Sequence, residues 1–182
     1  WQAQWIGEYT LTNPGESDKG DTRLAARYLR KSFAAGKKVE RAMLYITGLG
    51  SYEAYLNGER ISDDVFSPTV SWYPERVYYN VYEVTSLLKQ KDNLLGVKLG
   101  NGRYFGMRDT HTQMFGLPRL LAQLQIEYSD GSTELIVTDD SWRVTSQGPI
   151  IANNEFDGEE YDARKEMKGW SKSGFDDSGW KQ

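Results

Sequence analysis

The chain has 182 residues, with 22 Lys+Arg against 26 Asp+Glu, a net charge of -4, one histidine and no cysteine. The missing cysteines exclude disulfides and thiolate metal sites, and a single histidine, His111, excludes a multi-histidine metal centre and argues against a serine or cysteine triad. The acidic balance argues against nucleic acid, whose phosphates need clustered Lys and Arg, and no apolar run approaches the ~20 residues of a membrane-spanning helix.

Trp1-Gln2-Ala3-Gln4-Trp5 has no charged leader followed by an apolar stretch, so no signal peptide is expected there. Residues 10–23 (TLTNPGESDKGDTR) are polar and rich in Gly, Asp and Pro, the pattern of a solvated, mobile loop. Strand signals then dominate: Ala26–Phe33, Arg41–Gly48, Tyr52–Leu56, Val77–Tyr82, Leu94–Leu99 and Ser141–Ile150. YEAYLNG (Tyr52–Gly58) alternates large and small side chains and stops at Asn57-Gly58, a pair that tolerates the positive φ of a tight hairpin. Arg119–Asp139 reads as two antiparallel strands joined at Ser129-Asp130-Gly131-Ser132. Helical signals are few: a turn or two over Val84–Asn93, capped by Thr85 or Ser86, and a short turn-rich helix over Gly169–Trp180. Short strands separated by Gly, Asn and Asp turns predict an all-β chain, an antiparallel β-sandwich.

Two kinds of chemistry are worth testing against these residues. Glycoside hydrolysis needs two carboxyl groups facing one sugar, about 5 Å apart for retention or about 6.5–9.5 Å for inversion. The candidates are Asp63-Asp64, Asp139-Asp140, Glu159-Glu160 with Asp162, and Asp176-Asp177, all in turn-like contexts. Adjacent acids in a strand point to opposite faces, and turn acids usually accept backbone N–H groups, so a structural role is the reading for each pair. Sugar binding needs instead a flat ring to stack on and fork-shaped donors or amides to read hydroxyl pairs. With 13% aromatic residues, including 6 Trp and 12 Tyr, the chain has rings enough, though most are expected to pack in the core. LGNGRYFGMRDTHTQMFGLP (Leu99–Pro118) supplies Asn101, Arg103, Tyr104, Arg108, Asp109, His111 and Gln113, and Trp72 and Tyr73 offer a neighbouring aromatic wall. The alternative is that Asn101 and Arg103 stabilise a strand exit while Tyr104 and Phe105 join the core.

The stretch from Tyr52 to Tyr104, with YEAYLNG, LGNGRYFG and the intervening FSPTVSWYPERVYYNVYEVTSLL, resembles the N-terminal β-sandwich domain of bacterial α-L-rhamnosidases. With Trp1-x-x-x-Trp5-Ile6 at one end, and DGEEYDAR and FDDSGW at the other, the resemblance covers most of the chain. It implies a jelly-roll, galactose-binding-like sandwich over residues 1–150 and a linking segment over 151–182 towards a following domain. It also implies that the acid and base of the parent lie on a separate (α/α)6 barrel, so this piece is a non-catalytic accessory domain. The parent would hydrolyse terminal α-L-rhamnose from glycosides, with inversion and without a cofactor. The partners implied are a rhamnose-containing glycan, met through the parent, and the other domains of the same polypeptide, with no nucleic acid and no membrane. A periplasmic or extracellular parent suits a polysaccharide substrate, but no residue here decides the compartment. A free-standing carbohydrate-binding module and a purely structural interdomain sandwich are the alternatives. The related rhamnose-binding module carries an Asp-Asn pair just before the Tyr-Asn-Gly hairpin that helps hold calcium and sugar. Here that place reads Gly48-Leu49-Gly50-Ser51, whose Leu and Gly side chains cannot ligate a hard cation, so no metal is expected.

Overall fold

The alternating stretches pair into two antiparallel sheets whose apolar sides face each other. A computed structural model of the chain describes residues 1–8, 24–106 and 115–182. In chain order the strands are β1 (Arg27–Phe33), β2 (Val39–Leu49), β3 (Ser51–Leu56), β4 (Glu59–Arg60), β5 (Asn80–Glu83), β6 (Asn93–Gly100), β7 (Arg119–Tyr128), β8 (Thr133–Val137), β9 (Arg143–Thr145), β10 (Ile150–Asn154) and β11 (Gly158–Tyr161). One sheet has the order β4-β3-β6-β1-β9, the other β5-β2-β7-β8, and β10 and β11 form a separate hairpin. Every pairing between these strands is antiparallel, and neighbours distant in sequence, such as β1 between β6 and β9, require the chain to cross between layers, as a jelly-roll sandwich does.

The register decides which side chains meet. Ala54, Val97, Leu29 and Val144 lie side by side across the inner face of the five-stranded sheet. Tyr82, Leu44, Leu124 and Ile136 make the corresponding row of the four-stranded sheet. These rows belong to one continuous core. Burying each large apolar side chain is worth about 1.5–3 kcal/mol, so the pattern of alternation fixes the register. Trp142 closes one edge, its indole N–H donating to the carbonyl of Val137 at 2.8 Å.

The outer face of the five-stranded sheet is covered by the chain itself. Residues 167–180 fold back as a strap in which Trp170 lies over Gly96 of β6 and edge-on to Tyr28 and Tyr55, at ring separations of 5.0 and 5.4 Å. A β-carbon at position 96 would stand 3.0 Å from the Trp170 ring, so glycine is what lets the indole reach the sheet. Arg30, on the same face of β1, is only 2% exposed. Its guanidinium donates to the carbonyls of Lys172 at 2.9 Å and Phe175 at 3.2 Å and pairs with Asp177 at 3.4 Å. The rings of Phe175 and Trp180 lie 5.2 and 5.8 Å from it, in cation–π contact.

Several elements differ from the sequence reading. The tight hairpin stands where expected, with φ of 56° at Asn57 and 89° at Gly58. The strand expected over Val77–Tyr82 begins only at Asn80. The helical stretch after Val84 is one turn of 3-10 helix, Thr85–Leu87. Thr85 does not cap it; its hydroxyl accepts the N–H of Ala42 at 2.8 Å and ties the turn to β2. Asn93 ends it by closing a ring with the backbone of Lys89, at 2.8 and 2.6 Å. Ser141–Ile150 is not one strand: the Asp139 carboxylate holds the N–H of Ser141 at 3.0 Å in a turn, β9 covers only Arg143–Thr145, and Ile150 opens β10. Gly169–Trp180 contains turns rather than a helix. The expected mobile loop over residues 10–23 lies outside the described residues. Residues 151–182 begin with the rest of the β10–β11 hairpin, followed by one 3-10 turn at Ala163–Lys165 and the strap.

Replacing Arg30 with Met should cost about 3 kcal/mol, since breaking a buried pair leaves Asp177 and two carbonyls without their donor. Urea unfolding measures the loss, and faster proteolytic release of residues after 166 locates it. A second expectation concerns alkali. Burial pushes the hydroxyls of Tyr28, Tyr52 and Tyr55 well above their usual 10, with Glu53 adding to the effect at Tyr55. Burial, with the Glu134 carboxylate beside it, pushes Tyr128 up to about 12. A raised value means that the folded chain holds the proton more tightly than the unfolded one. The stability from these tyrosines is therefore complete below pH 10 and is lost as pH rises through and past 12. Tyrosinate absorbance should show a late phase coincident with loss of circular dichroism; a single phase near 10 with the fold intact would contradict it.

Candidate functional site

The loops at one end of the sandwich are rooted where β6 stops. Asn101, the next residue, is completely buried. Its side-chain amide donates to the carbonyls of Leu24 at 2.8 Å and Asn153 at 2.5 Å, and its backbone N–H donates to the Asn153 side chain at 2.8 Å. Asn153 in turn donates to Leu24 at 2.9 Å. Two asparagines thus satisfy the backbone at the ends of three chain segments. Gly50 brings the start of β3 onto the same root: at φ 132°, any β-carbon there would stand 2.3 Å from the carbonyl oxygen of Gly100.

Above this root stand four rings. Tyr104 leaves the turn after β6, and Phe115 returns beside it, its N–H donating to the Tyr104 carbonyl at 3.1 Å. The two rings stack at 5.9 Å and 25°. Tyr73 meets them edge-on, 5.0 Å from Tyr104 and 5.1 Å from Phe115. Trp72 meets the edge of Phe115 at 6.0 Å and remains 57% exposed. A turn holds Trp72 in place: its carbonyl accepts from Glu75 and Arg76, and the Ser71 hydroxyl donates to the Arg76 carbonyl at 2.7 Å. At the rim Arg103 pairs with Glu155 at 3.6 Å and lies 5.8 Å from the Phe156 ring. Burial, and then the nearby Glu155 charge, raise the Tyr73 hydroxyl above its usual value, with Arg103 offsetting part of the rise. The result is an exposed indole on a fixed aromatic base, with a cation and a carboxylate beside it.

The structure therefore brings together three of the expected residues, Trp72, Tyr73 and Tyr104, and sets Arg103 on their rim. Asn101 does not join the wall; its amide is spent on the strand ends beneath it. Arg108, Asp109 and His111, with Gln113, lie outside the described residues. Sequence reasoning missed Phe115, Glu155 and Phe156. Phe115 sat inside the quoted loop and was recoverable from its place next to Gly116. Glu155 and Phe156 belong to the turn of a hairpin that was not recognised.

At least one member of each group of candidate acids is engaged within the domain. Asp162 forks onto its own Arg164, with contacts at 2.8 and 2.8 Å, and Asp176 caps Ser178 at 3.0 Å. Asp64 accepts the Tyr82 hydroxyl at 2.9 Å, and Asp177 belongs to Arg30. Among the described residues no three His, Asp or Glu side chains gather as metal ligands would. A concavity of about 270 Å3 lies between the strap and the five-stranded sheet, lined by Tyr28, Tyr55, Lys98, Tyr161, Glu166 and Trp170. Its polar groups pair with one another or with a neighbour: Tyr161 donates to Glu166 at 2.9 Å, and Lys98 and Tyr55 both hold Glu53.

The two facing sheets define an antiparallel β-sandwich domain. The chain belongs to the alpha-L-rhamnosidase N-terminal domain family, whose pattern matches residues 37–182. It is 40% identical over 186 residues to an alpha-L-rhamnosidase of Alteromonas sp. strain LOR, aligning 99% of this chain with 20% of that protein. The solved alpha-L-rhamnosidase of Dictyoglumus thermophilum superposes with a TM-score of 0.86 at 44% identity, covering 100% of this chain and 20% of that one. The Streptomyces avermitilis alpha-L-rhamnosidase, solved in complex with L-rhamnose, superposes with a TM-score of 0.78 at 43% identity over 87% of this chain and 16% of that one. The chain thus spans about a fifth or less of the length of these relatives.

Replacing Asn101 with Ala removes its side-chain hydrogen bonds to the Leu24 and Asn153 carbonyls and the one it accepts from the buried Arg27 guanidinium at 3.4 Å, at a cost of about 3 kcal/mol. Denaturant unfolding should show that loss, whereas Trp72→Ala, at an exposed position, should stay within about 0.5 kcal/mol of the parent.

Proposed function

We propose that this chain is a non-catalytic accessory domain of an α-L-rhamnosidase that releases terminal α-L-rhamnose from glycosides, and that its loop end contacts the glycan. The match to the rhamnosidase N-terminal domain over residues 37–182 carries the first half of this reading. The commitment of Asp64, Asp162, Asp176 and Asp177 to hydrogen bonds and ion pairs within the domain supports a non-catalytic role. The second half rests on Trp72, which is 57% exposed and braced from behind by Phe115. A deoxysugar offers C–H groups on one face, and these stack on an indole. The Arg103–Glu155 pair at the rim supplies charged groups to read hydroxyls. Other domains of the same polypeptide would then hold the acid and base.

The isolated 182-residue chain should release no nitrophenol from a nitrophenyl rhamnoside. Turnover that survives repurification would refute the non-catalytic role. Titration calorimetry with rhamnose and rhamnosylated oligosaccharides should register binding that Trp72→Ala weakens about tenfold, the worth of roughly one stacked ring. Silence from the unmodified chain would refute the sugar contact and leave the structural interdomain role standing.

A further inference from the structure

The two sheets present very different outer faces. The strap covers that of the five-stranded sheet through Trp170, Phe175 and Trp180. The four-stranded sheet is covered only in part: Trp1 and Gln2 lie on it, the Gln2 N–H donating to the Gln123 side chain at 3.0 Å. Its outward cross-strand row is Val81, Tyr45, Gln123 and Val137, without a charge. The next row, Glu83, Met43, Gln125 and Leu135, carries one charge, at the edge strand. Trp1 stands edge-on to Tyr45 at 6.4 Å and to Tyr79 at 5.5 Å. Trp1, Tyr79 and Val81 are 57%, 52% and 44% exposed. The Thr47 hydroxyl donates to the Tyr78 carbonyl at 2.6 Å and holds the segment bearing Tyr79 against the sheet. Apart from Glu83, charges return at the ends of this face, with Arg41 opposite Glu127 at one end and Arg119 at the other.

In a chain whose residues are 26% charged, a sheet face with an uncharged aromatic and aliphatic centre and charged ends departs from a solvated surface. It has the anatomy of an interface, with an apolar centre and a polar rim. We infer that this face, centred on Tyr45, Tyr79 and Val81, docks an uncharged apolar surface of another domain of the same polypeptide. The occupant follows from length: the relatives are about five times longer than this chain, so most of such a polypeptide lies outside the sandwich. The inference rests on the reading of this chain as one domain of a longer rhamnosidase, and it gives that reading a contact surface.

The absence of cysteine from the chain provides the test. Val81→Cys and, as a control at an exposed turn, Lys91→Cys are introduced separately into the full-length polypeptide and into the 182-residue chain. Modification by a small thiol reagent is followed at the introduced residue by peptide mapping. In the full-length protein the thiol at 81 should react at least about tenfold more slowly than the thiol at 91, because the docked domains must separate first. In the short chain the two should react at similar rates at every protein concentration. Equal rates in the full-length protein overturn the inference, as does concentration-dependent protection in the short chain, which assigns the face to a second copy. Turnover of a nitrophenyl rhamnoside by the full-length protein tests the rhamnosidase reading separately. Protection at 81 without turnover supports the docking face and sinks the rhamnosidase; turnover without protection does the reverse.

Discussion

Taking a guanidinium out of water is costly where its donors go unmatched, and Arg30 is almost wholly out of water. Much of the outer architecture of the five-stranded sheet follows from that requirement. The carbonyls and carboxylate that match it come from Lys172, Phe175 and Asp177, far along the chain from β1, so residues 167–180 must lie on the sheet for the strand to be tenable. Once they do, Trp170 reaches Gly96 and the rings of Phe175 and Trp180 shield the charge. Residues beyond the last sandwich strand are therefore structural partners of the first one.

The same economy of polar groups separates the loop end from the core. Asn101 and Asn153 absorb the backbone valences of the strand ends, which leaves the aromatic residues above them free of any anchoring duty. Tyr73 braces the stacked Tyr104 and Phe115 rings edge to face, and Trp72 is left projecting. The sandwich thus offers three distinct surfaces: a face sealed by its own chain, an uncharged face, and a ringed end. Its acidic side chains, by contrast, are largely engaged in turns and ion pairs.

The fold was legible in the sequence wherever one side of a strand is buried. Tyr52–Leu56 and the part of β7 from Ala122 to Tyr128 alternate cleanly because their inner residues pack in the core, and the turns at Asn57-Gly58 and Ser129–Ser132 announce themselves by residue type. The β10–β11 hairpin escaped notice because β11 is exposed along its whole length and so shows no period of two. The strap imitated a helix because its aromatic residues are spaced by turns, and only tertiary contacts reveal what each ring touches. At the loop end, residue type drew attention to Trp72, Tyr73 and Tyr104, which the fold gathers beside Phe115. For Asn101 it left two readings side by side, because an amide that reads a ligand and one that ties strand ends together have the same spelling; only burial tells them apart.

Trp170 has one further consequence. The indole stands perpendicular to the Tyr28 ring and nearly so to that of Tyr55, at 5.0 and 5.4 Å. Light absorbed by either phenol is passed to such a close neighbour instead of being re-emitted. The dark phenols of β1 and β3 are thus an optical record of whether the returning segment is seated, and they would brighten as soon as it lifted from the glycine beneath.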